Sequence, residues 1–259
     1  MKATLPEPEY VAKLPGETLD ALFDGRLTLF QSRLGYRFSI DALLLAAFVS
    51  VKRGETIVDL GSGNGVISLA LAQLHPSAAL TGIERHATMA ERARRSVRLN
   101  RLDGRITIIT GDVREKNDLL KPGSFDVAVC NPPYRKPGSG RISVNDERQS
   151  ARHELNGDLG DFLRVGASFL RRKGRMAMVY LAERSADLIS AMRQAGLEPK
   201  RLRMVHSHYH AGASLLLVEA VKGGRAGLAV LPPLSIYRRG KDYTEEVAAI
   251  LNGAPPARE

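Results

Sequence analysis

The chain of 259 residues has little that would mark it as secreted, disulfide-bonded or membrane-spanning. Its single cysteine, Cys130, excludes an internal disulfide, and its place in an apolar run points to a small buried hydrophobe. No apolar run approaches the roughly 20 residues needed to cross a bilayer; the longest, Ala42 to Val51, is far shorter. The first residues, Met1 to Pro15, are polar and proline-broken and lack the order of a signal peptide. There is no tryptophan, and tyrosine and phenylalanine occur seven times each. Acidic residues are also in deficit, 28 against 38 lysines and arginines, which leaves a net charge of +10. These absences point to a cytoplasmic protein, and the surplus of positive charge points to a polyanionic partner such as nucleic acid.

Between residues 55 and 222 strand-like runs alternate with helical ones. Thr56–Leu60, Ala79–Glu84, Ile106–Gly111, Phe125–Cys130, Arg175–Tyr180, Lys200–His206 and Ser214–Val221 read as strands, and Val66–Leu74, Ala87–Asn100, Gly160–Leu170 and Ser185–Ala195 as helices. Alternation of this kind predicts βαβ units and a parallel sheet. The last two strands have no helix between them and should form an antiparallel hairpin. The expected fold is therefore α/β: a seven-stranded, doubly wound, mostly parallel Rossmann-like sheet whose terminal hairpin distinguishes the methyltransferase version from the dinucleotide-binding one. In Ala87–Asn100, Met89, Ala90, Ala93 and Val97 recur at helical spacing and should face the sheet, leaving Arg92, Arg94, Arg95 and Arg98 as a solvated face.

Three segments follow from this division: an N-terminal extension over residues 1–50, a core over 51–222 and a C-terminal extension over 223–259. In the first, Leu19–Leu22 and Arg26–Gln31 flank Phe23-Asp24-Gly25 as a short hairpin. Ser39 is a suitable N-cap for an apolar helix, Asp41–Val51, that should be buried. Pro137–Gln149, rich in Gly, Ser and Asn, reads as a mobile loop. Gly223-Gly224 mark a linker, Pro232-Pro233 a break, and Tyr243–Leu251 a short helix.

Chemistry concentrates at two places. Asp59-Leu60-Gly61-Ser62-Gly63-Asn64-Gly65 follows the first core strand and opens a helix, with glycines spaced G-x-G-x-G rather than the G-x-G-x-x-G of pyrophosphate sites. Glu84 ends the next strand, where an acidic side chain accepts from ribose hydroxyls. A ligand with a ribose and no pyrophosphate is S-adenosylmethionine, which becomes S-adenosylhomocysteine on losing its methyl. Asp112 and Val113 close the third strand, Asp112 either accepting from the adenine amine of that cofactor or capping the next segment. Asp41 either reaches the cofactor's methionine amine or serves as a helix-terminus charge. The second place is Asn131-Pro132-Pro133-Tyr134, directly after the strand ending at Cys130. Asn131 offers an acceptor oxygen and Pro132 a free carbonyl, which together can hold an –NH2 group, and Tyr134 offers a flat face for a planar ring. The plain alternative is a Pro-Pro turn that closes a strand.

Taken together the residues carry a resemblance over nearly the whole chain. The turn Asp59–Gly65 and the tetrapeptide Asn131–Tyr134 resemble those of class I methyltransferases that modify amino groups. Gly35-Tyr36-Arg37-Phe38-Ser39-Ile40-Asp41-Ala42, Ala151-Arg152-His153-Glu154 and Asp242-Tyr243-Thr244-Glu245-Glu246 resemble the bacterial adenine-N6 methyltransferases of valine tRNA. The resemblance implies that Asp41, Asp59, Gly61, Gly63, Gly65, Glu84, Asp112, Val113 and Asn131 bind the cofactor. It implies that Asn131, Pro132 and Tyr134 hold the target base, and that Arg135, Lys136 and Arg141 close over RNA, with no metal and no obligate protein partner. Enzymes acting on a glutamine amide of a translation factor or on guanine N2 of ribosomal RNA share the tetrapeptide. The basic charge, the lack of a long N-terminal helical domain and a length too short for a duplicated domain favour the tRNA reading. A non-catalytic RNA-binding module is disfavoured by the intact glycines and Asn131, and a nicotinamide oxidoreductase by the glycine spacing.

Overall fold

The computed structural model describes residues 11–35, 37–115, 120–132 and 159–254. Tyr36, Tyr134, Arg135, Lys136, Arg141, the expected loop Pro137–Gln149 and Ala151-Arg152-His153-Glu154 lie outside the described residues. The core strands are β3 (Thr56–Leu60), β4 (Ala79–Glu84), β5 (Ile106–Thr110), β6 (Phe125–Cys130), β7 (Leu170–Leu181), β8 (Leu197–His208) and β9 (Ala213–Lys222). They lie in the order β8-β9-β7-β6-β3-β4-β5, with β7, β6, β3, β4 and β5 parallel and β8–β9 an antiparallel hairpin. This is the α/β sheet expected from the alternation.

Side chains alternate across the sheet with a period of two, and both faces are buried. Val127 and Val129 of β6 enter one apolar cluster, Ala128 and Cys130 the other. Helices α1 (Ile40–Phe48), α2 (Val66–Leu74) and α3 (Ala87–Leu99) cover the first face, and α4 (Leu159–Phe169) and α5 (Ser185–Gln194) the second. Helix α1 is buried from Ala42 to Phe48, as its composition requires. It ends at Phe48, because Val49 is already extended, and Ser39 sits at its N-cap without a side-chain capping bond.

The C-terminal segment departs from the expectation. It adds β10 (Ala229–Val230), β11 (Leu234–Arg239) and β12 (Asp242–Tyr243) to the sheet, with β10 and β11 parallel to β8. Tyr243 is therefore in a strand. The helix α6 (Glu245–Leu251) starts after Thr244, whose hydroxyl accepts from the Val247 N–H. β10 and β12, of two residues each, are too short to show alternation, and β11 alternates only over its first four residues before two exposed arginines. Helix α6 ends in a Schellman closure: Gly253, at φ 66°, donates to Ile250 O, and Ala254 donates to Ala249 O. Gly253 lies against Phe23, where an added Cβ would meet the ring at 2.7 Å, so the two extensions pack on one another.

The N-terminal hairpin of β1 (Glu17–Leu22) and β2 (Leu27–Ser32) docks on α3. The Phe30 N–H donates to Ser96 Oγ at 3.0 Å, and the Thr28 N–H donates to Asn100 Oδ1 at 2.9 Å. Here the expected solvated arginine face is corrected. Arg92 and Arg95 are each 8% exposed and converge on the buried Glu17 carboxylate, while Arg94 donates to Ile108 O and Thr110 Oγ1 along the open edge of β5. Arg98 alone of the four is largely exposed. The helical period placed these side chains off the sheet correctly, but a second layer lies there.

Burial pushes the Glu17 carboxyl up, yet hydrogen bonds from Arg95, the Leu14 N–H and Arg92 together outweigh it and hold the pKa below its ordinary value. A depressed carboxylate stabilises the fold above the unfolded-state pKa and loses that contribution as pH falls through the folded-state value. Glu17→Ala would leave two buried guanidinium groups without their anion. We expect a loss of about 3 kcal/mol in denaturant-unfolding stability at neutral pH, diminishing towards acid. A loss within a few tenths would show that the hairpin docks by apolar contact alone.

Candidate active site

Register brings the motifs together. Leu60 pairs with Cys130 on one side and Ile83 on the other, and Glu84 pairs with Thr110. The next residues at the carboxyl edge are thus Asn131, Gly61, the end of β4 and Gly111, in adjacent rows about 4.8 Å apart. The chain runs β3 to β4 to β5 in one direction and returns to β6 on the other side of β3. The crevice at such a reversal is where open α/β sheets bind ligands.

The glycine turn is closed by its own backbone. The Gly61 and Ser62 N–H groups donate to Ile83 O at 2.9 Å, and the Gly65 N–H donates to Ser62 O at 2.8 Å. Gly63 (φ 58°) and Gly65 (φ 81°) occupy the left-handed region that L side chains rarely adopt, and a Cβ on Gly65 would lie 3.1 Å from that of Ala93. Glu84 fastens the turn to β4. Its Oε2 accepts from the Gly63 N–H at 2.7 Å and its Oε1 from the His86 N–H at 2.8 Å. Each carboxylate oxygen has two lone-pair directions, so Glu84 keeps acceptor capacity for a ligand's hydroxyls.

Asp59, near the end of β3, is almost fully buried. Its Oδ2 accepts from Ser68 Oγ at 2.7 Å, and Oδ1 has no partner. Burial is the main cause, with the neighbouring Glu84 charge adding to it, that pushes its pKa up to about 7. The nearby Cys130 thiol is likewise pushed up by burial and by Asp59. Ser62 Oγ and Asn64 Oδ1 are also buried without partners. These three oxygens are enclosed within the fold and are not exposed at the surface of the turn.

Asp112 is held differently. Its Oδ1 accepts from the Arg114 N–H and Nε–H at 2.9 Å and its Oδ2 from the same guanidinium at 2.5 Å, with Arg85 Nε 3.8 Å away. The Arg114 hydrogen bonds are the largest influence, and they hold its pKa at about 2. Asp112 therefore caps its own turn, and Val113 is buried in the second apolar cluster. Asp41 stands half-buried in the first turn of α1. Asn131 is half-buried and Pro132 buried at the end of β6. Among the described residues no three His, Cys, Asp or Glu side chains cluster to hold a metal, and no helix is long and apolar enough to cross a membrane.

The sequence did not single out the tie between the turn and the N-terminal hairpin. Asn64 Nδ2 donates to Gln31 Oε1 at 3.3 Å, and the same oxygen accepts from the Phe38 N–H at 3.1 Å. Gln31 in turn donates to Asp20, which is paired with Arg37. The only signal for this was Asn64 itself, a side-chain amide inside a glycine turn.

A raised pKa on an acid means the folded state favours the neutral form. The cost of ionising Asp59 is absent below about pH 4, grows as pH rises towards 7, and is constant above. Asp59→Asn, which keeps a partner for Ser68, should therefore gain stability relative to the parent as pH rises from 5 to 8. Of a total of roughly 4 kcal/mol for three pKa units, about 2.5 kcal/mol accrues between pH 5 and 8. Parallel denaturation curves at both pH values would contradict a buried carboxylate that titrates near 7.

The family model for the methyltransferase small domain matches residues 38–195, more than half of the chain. A tRNA1(Val) (adenine(37)-N6)-methyltransferase of Porphyromonas gingivalis is 31% identical over 73% of this chain and 76% of its own length. Its counterpart in Shewanella woodyi is 25% identical over 85% of this chain and 92% of its own. The structure described as a predicted O-methyltransferase from Agrobacterium tumefaciens superposes with a TM-score of 0.69 at 27% identity, covering 85% of this chain and 99% of that one. By its sheet order, its glycine turn and these matches, the chain is a methyltransferase and belongs to the methyltransferase small-domain family.

Proposed function

We propose that this methyltransferase transfers a methyl group from S-adenosylmethionine to the exocyclic N6 of an adenine in tRNA, leaving S-adenosylhomocysteine. The observation that carries the reading is the register that sets Asn131 one strand from the glycine turn and two from Glu84. An amine-holding amide and a nucleoside-holding carboxylate thus face one crevice. The names of the curated relatives favour adenine of tRNA over a guanine amine or a glutamine amide, and the net charge of +10 suits a polyanionic substrate.

The residues present fit the cofactor. Glu84 has acceptor capacity for ribose hydroxyls, and the backbone at Gly61 and Gly63 is open to close approach. Asp41 and the Asp112–Val113 turn would border it. When bound, the cofactor supplies an activated methyl on a sulfonium, so no covalent nucleophile is required of the protein. An aromatic amine is a poor nucleophile because its lone pair is delocalised. Asn131 Oδ1 and the Pro132 carbonyl would accept from its two N–H groups, which biases the nitrogen towards tetrahedral geometry and aims its lone pair. Positioning and electrostatics then carry the rate. Tyr134 would stack on the base, and Arg135, Lys136 and Arg141 would neutralise nearby phosphates.

The decisive experiment incubates the protein with methyl-labelled cofactor and unmodified tRNA, ribosomal RNA or protein, then identifies the labelled product. N6-methyladenosine in tRNA is expected, and label in guanosine or glutamine would replace the substrate while keeping the chemistry. Two variants divide binding from catalysis. Glu84→Ala should weaken cofactor binding by about 1.5–3 kcal/mol, read by calorimetry, through lost charged hydrogen bonds. Asn131→Ala should bind cofactor nearly as the parent does and turn over about a hundredfold more slowly. Turnover within a few-fold of the parent would reduce Asn131 to a turn-former.

A further inference from the structure

Aromatic residues are scarce in this chain, yet three of its seven tyrosines gather at one corner of the sheet, far along from the glycine turn. Tyr237 of β11 pairs with His208 of β8 on one side and with Tyr243 of β12 on the other. The rings follow the strands. His208 and Tyr237 centroids are 5.5 Å apart, and Tyr237 and Tyr243 are stacked at 5.3 Å with an interplanar angle of 18°. Beside them the β8–β9 turn carries Tyr209, whose ring meets His210 edge-on at 5.0 Å. Tyr209 is 77% exposed and Tyr243 44%. Arg238, Arg239 and Lys241, all exposed, lie between Tyr237 and Tyr243 along the chain. Two exposed carboxylates, Asp242 and Glu245, are also present, and Glu246 is engaged by Arg203.

The corner lies on the same edge of the sheet as the active site. Strand β7 runs parallel to β6, β9 antiparallel to β7, and β8 antiparallel to β9, so β8 runs with β6; β11 is parallel to β8. The carboxyl ends of β8 and β11 therefore open on the side where β6 ends at Asn131. Three strand spacings separate β6 from β8 and four separate it from β11, and the ladder sets Asn131 level with Arg203, five residues short of His208, so the rings stand roughly 22 to 25 Å from Asn131. That is a span of a few nucleotides.

Folding does not account for these exposed rings. An edge of a sheet is ordinarily shielded by charge or short strands, and an exposed tyrosine on a turn buries almost nothing. Flat faces interleaved with guanidinium groups match the base and phosphate of unpaired RNA, because every base presents a π-face and every link a negative charge. We propose that His208, Tyr209, Tyr237 and Tyr243, with Arg238, Arg239 and Lys241, form a second RNA contact that stacks unpaired loop nucleotides flanking the adenine held at Asn131. The inference rests on the tRNA reading above and names the part of the RNA that this corner would hold. The ladder fixes Tyr243 and Tyr237 in place through main-chain pairing, and the His208 Nε2 contact to Gly240 O at 3.0 Å ties the β11–β12 turn to β8. The platform is thereby rigid before RNA arrives, which reduces the ordering cost of binding.

The test uses the full chain with an unmodified valine tRNA transcript and a blunt RNA duplex of equal phosphate count. Tyr209→Ala, which removes an exposed side chain, should melt as the parent does. It should bind the transcript about tenfold more weakly and raise KM by a similar factor, with kcat at saturation and cofactor affinity within about twofold. Tyr209→Phe should restore binding, since the π-face is kept. Tyr243→Ala should act in the same direction, and duplex binding by all three variants should match the parent. Transcript affinity within twofold of the parent for both alanine variants overturns the platform, as does an equal loss on transcript and duplex. Methyl transfer to the transcript with Tyr209→Ala unaltered overturns the platform alone. Failure of the parent to methylate any RNA, with label recovered in a protein amide, overturns the underlying reading and the platform with it.

Discussion

The parallel pairing of β3 with β6, in the register that sets Leu60 opposite Cys130, is the constraint on which the rest depends. It makes Gly61 and Asn131 neighbours although 70 positions separate them along the chain. A slip of one residue would turn Val127 and Val129 to the other apolar cluster and carry Asn131 away from the crevice. Register is held from both sides, because β6 is buried on its two faces and both of its edges are paired. The edge at which the chemistry stands is therefore set by the central strands of the fold, which are hardest to open locally.

The two terminal extensions are built into this frame. Glu17 is the only anion facing both Arg92 and Arg95 among the described contacts, and Gln31 passes the hairpin's position to Asn64 in the glycine turn. At the other end, Gly253 seats the close of α6 on Phe23, and Arg26 donates to Asn252 O. Hairpin, α3 and turn thus form one bonded body.

The core sheet was legible because each of its strands is apolar and is separated from the next by a helix of recognisable period. The glycine turn was legible because Gly63 and Gly65 take a backbone conformation that L side chains rarely adopt. What was illegible had two physical sources. The arginines of α3 were assigned by period to a face, and period says which side chains leave the sheet but not what lies beyond them. β10 to β12 are two to six residues long, β10 and β11 pairing with β8 and β12 with β11, so their conformation is fixed by a partner more than by their own pattern. Asp112 at its strand end reads as either a ligand or a cap, and the Arg114 that closes on it, two residues on, has no signal of its own in the sequence.

The surplus of positive charge also means something different once its location is known. Many arginines are already spent within the fold, Arg92 and Arg95 on Glu17, Arg114 on Asp112 and Arg175 on Glu55, in positions too buried or too tightly bonded to meet a phosphate. Others, Arg164 and Arg193 among them, pair with carboxylates at the surface while more than half exposed. Such surface pairs contribute little to stability, so a phosphate can replace the carboxylate at small cost. Each such pair removes a cation and an anion together, so the net charge stays +10 and only the set of cations accessible to a polyanion is narrowed. Arg238, Arg239 and Lys241 stand exposed at the carboxyl edge beside stacked rings, so the cations there are coupled to a surface that can also recognise bases. On the proposed function, net charge would draw RNA to the protein at long range, and cations on that edge would bear on how it is oriented towards Asn131.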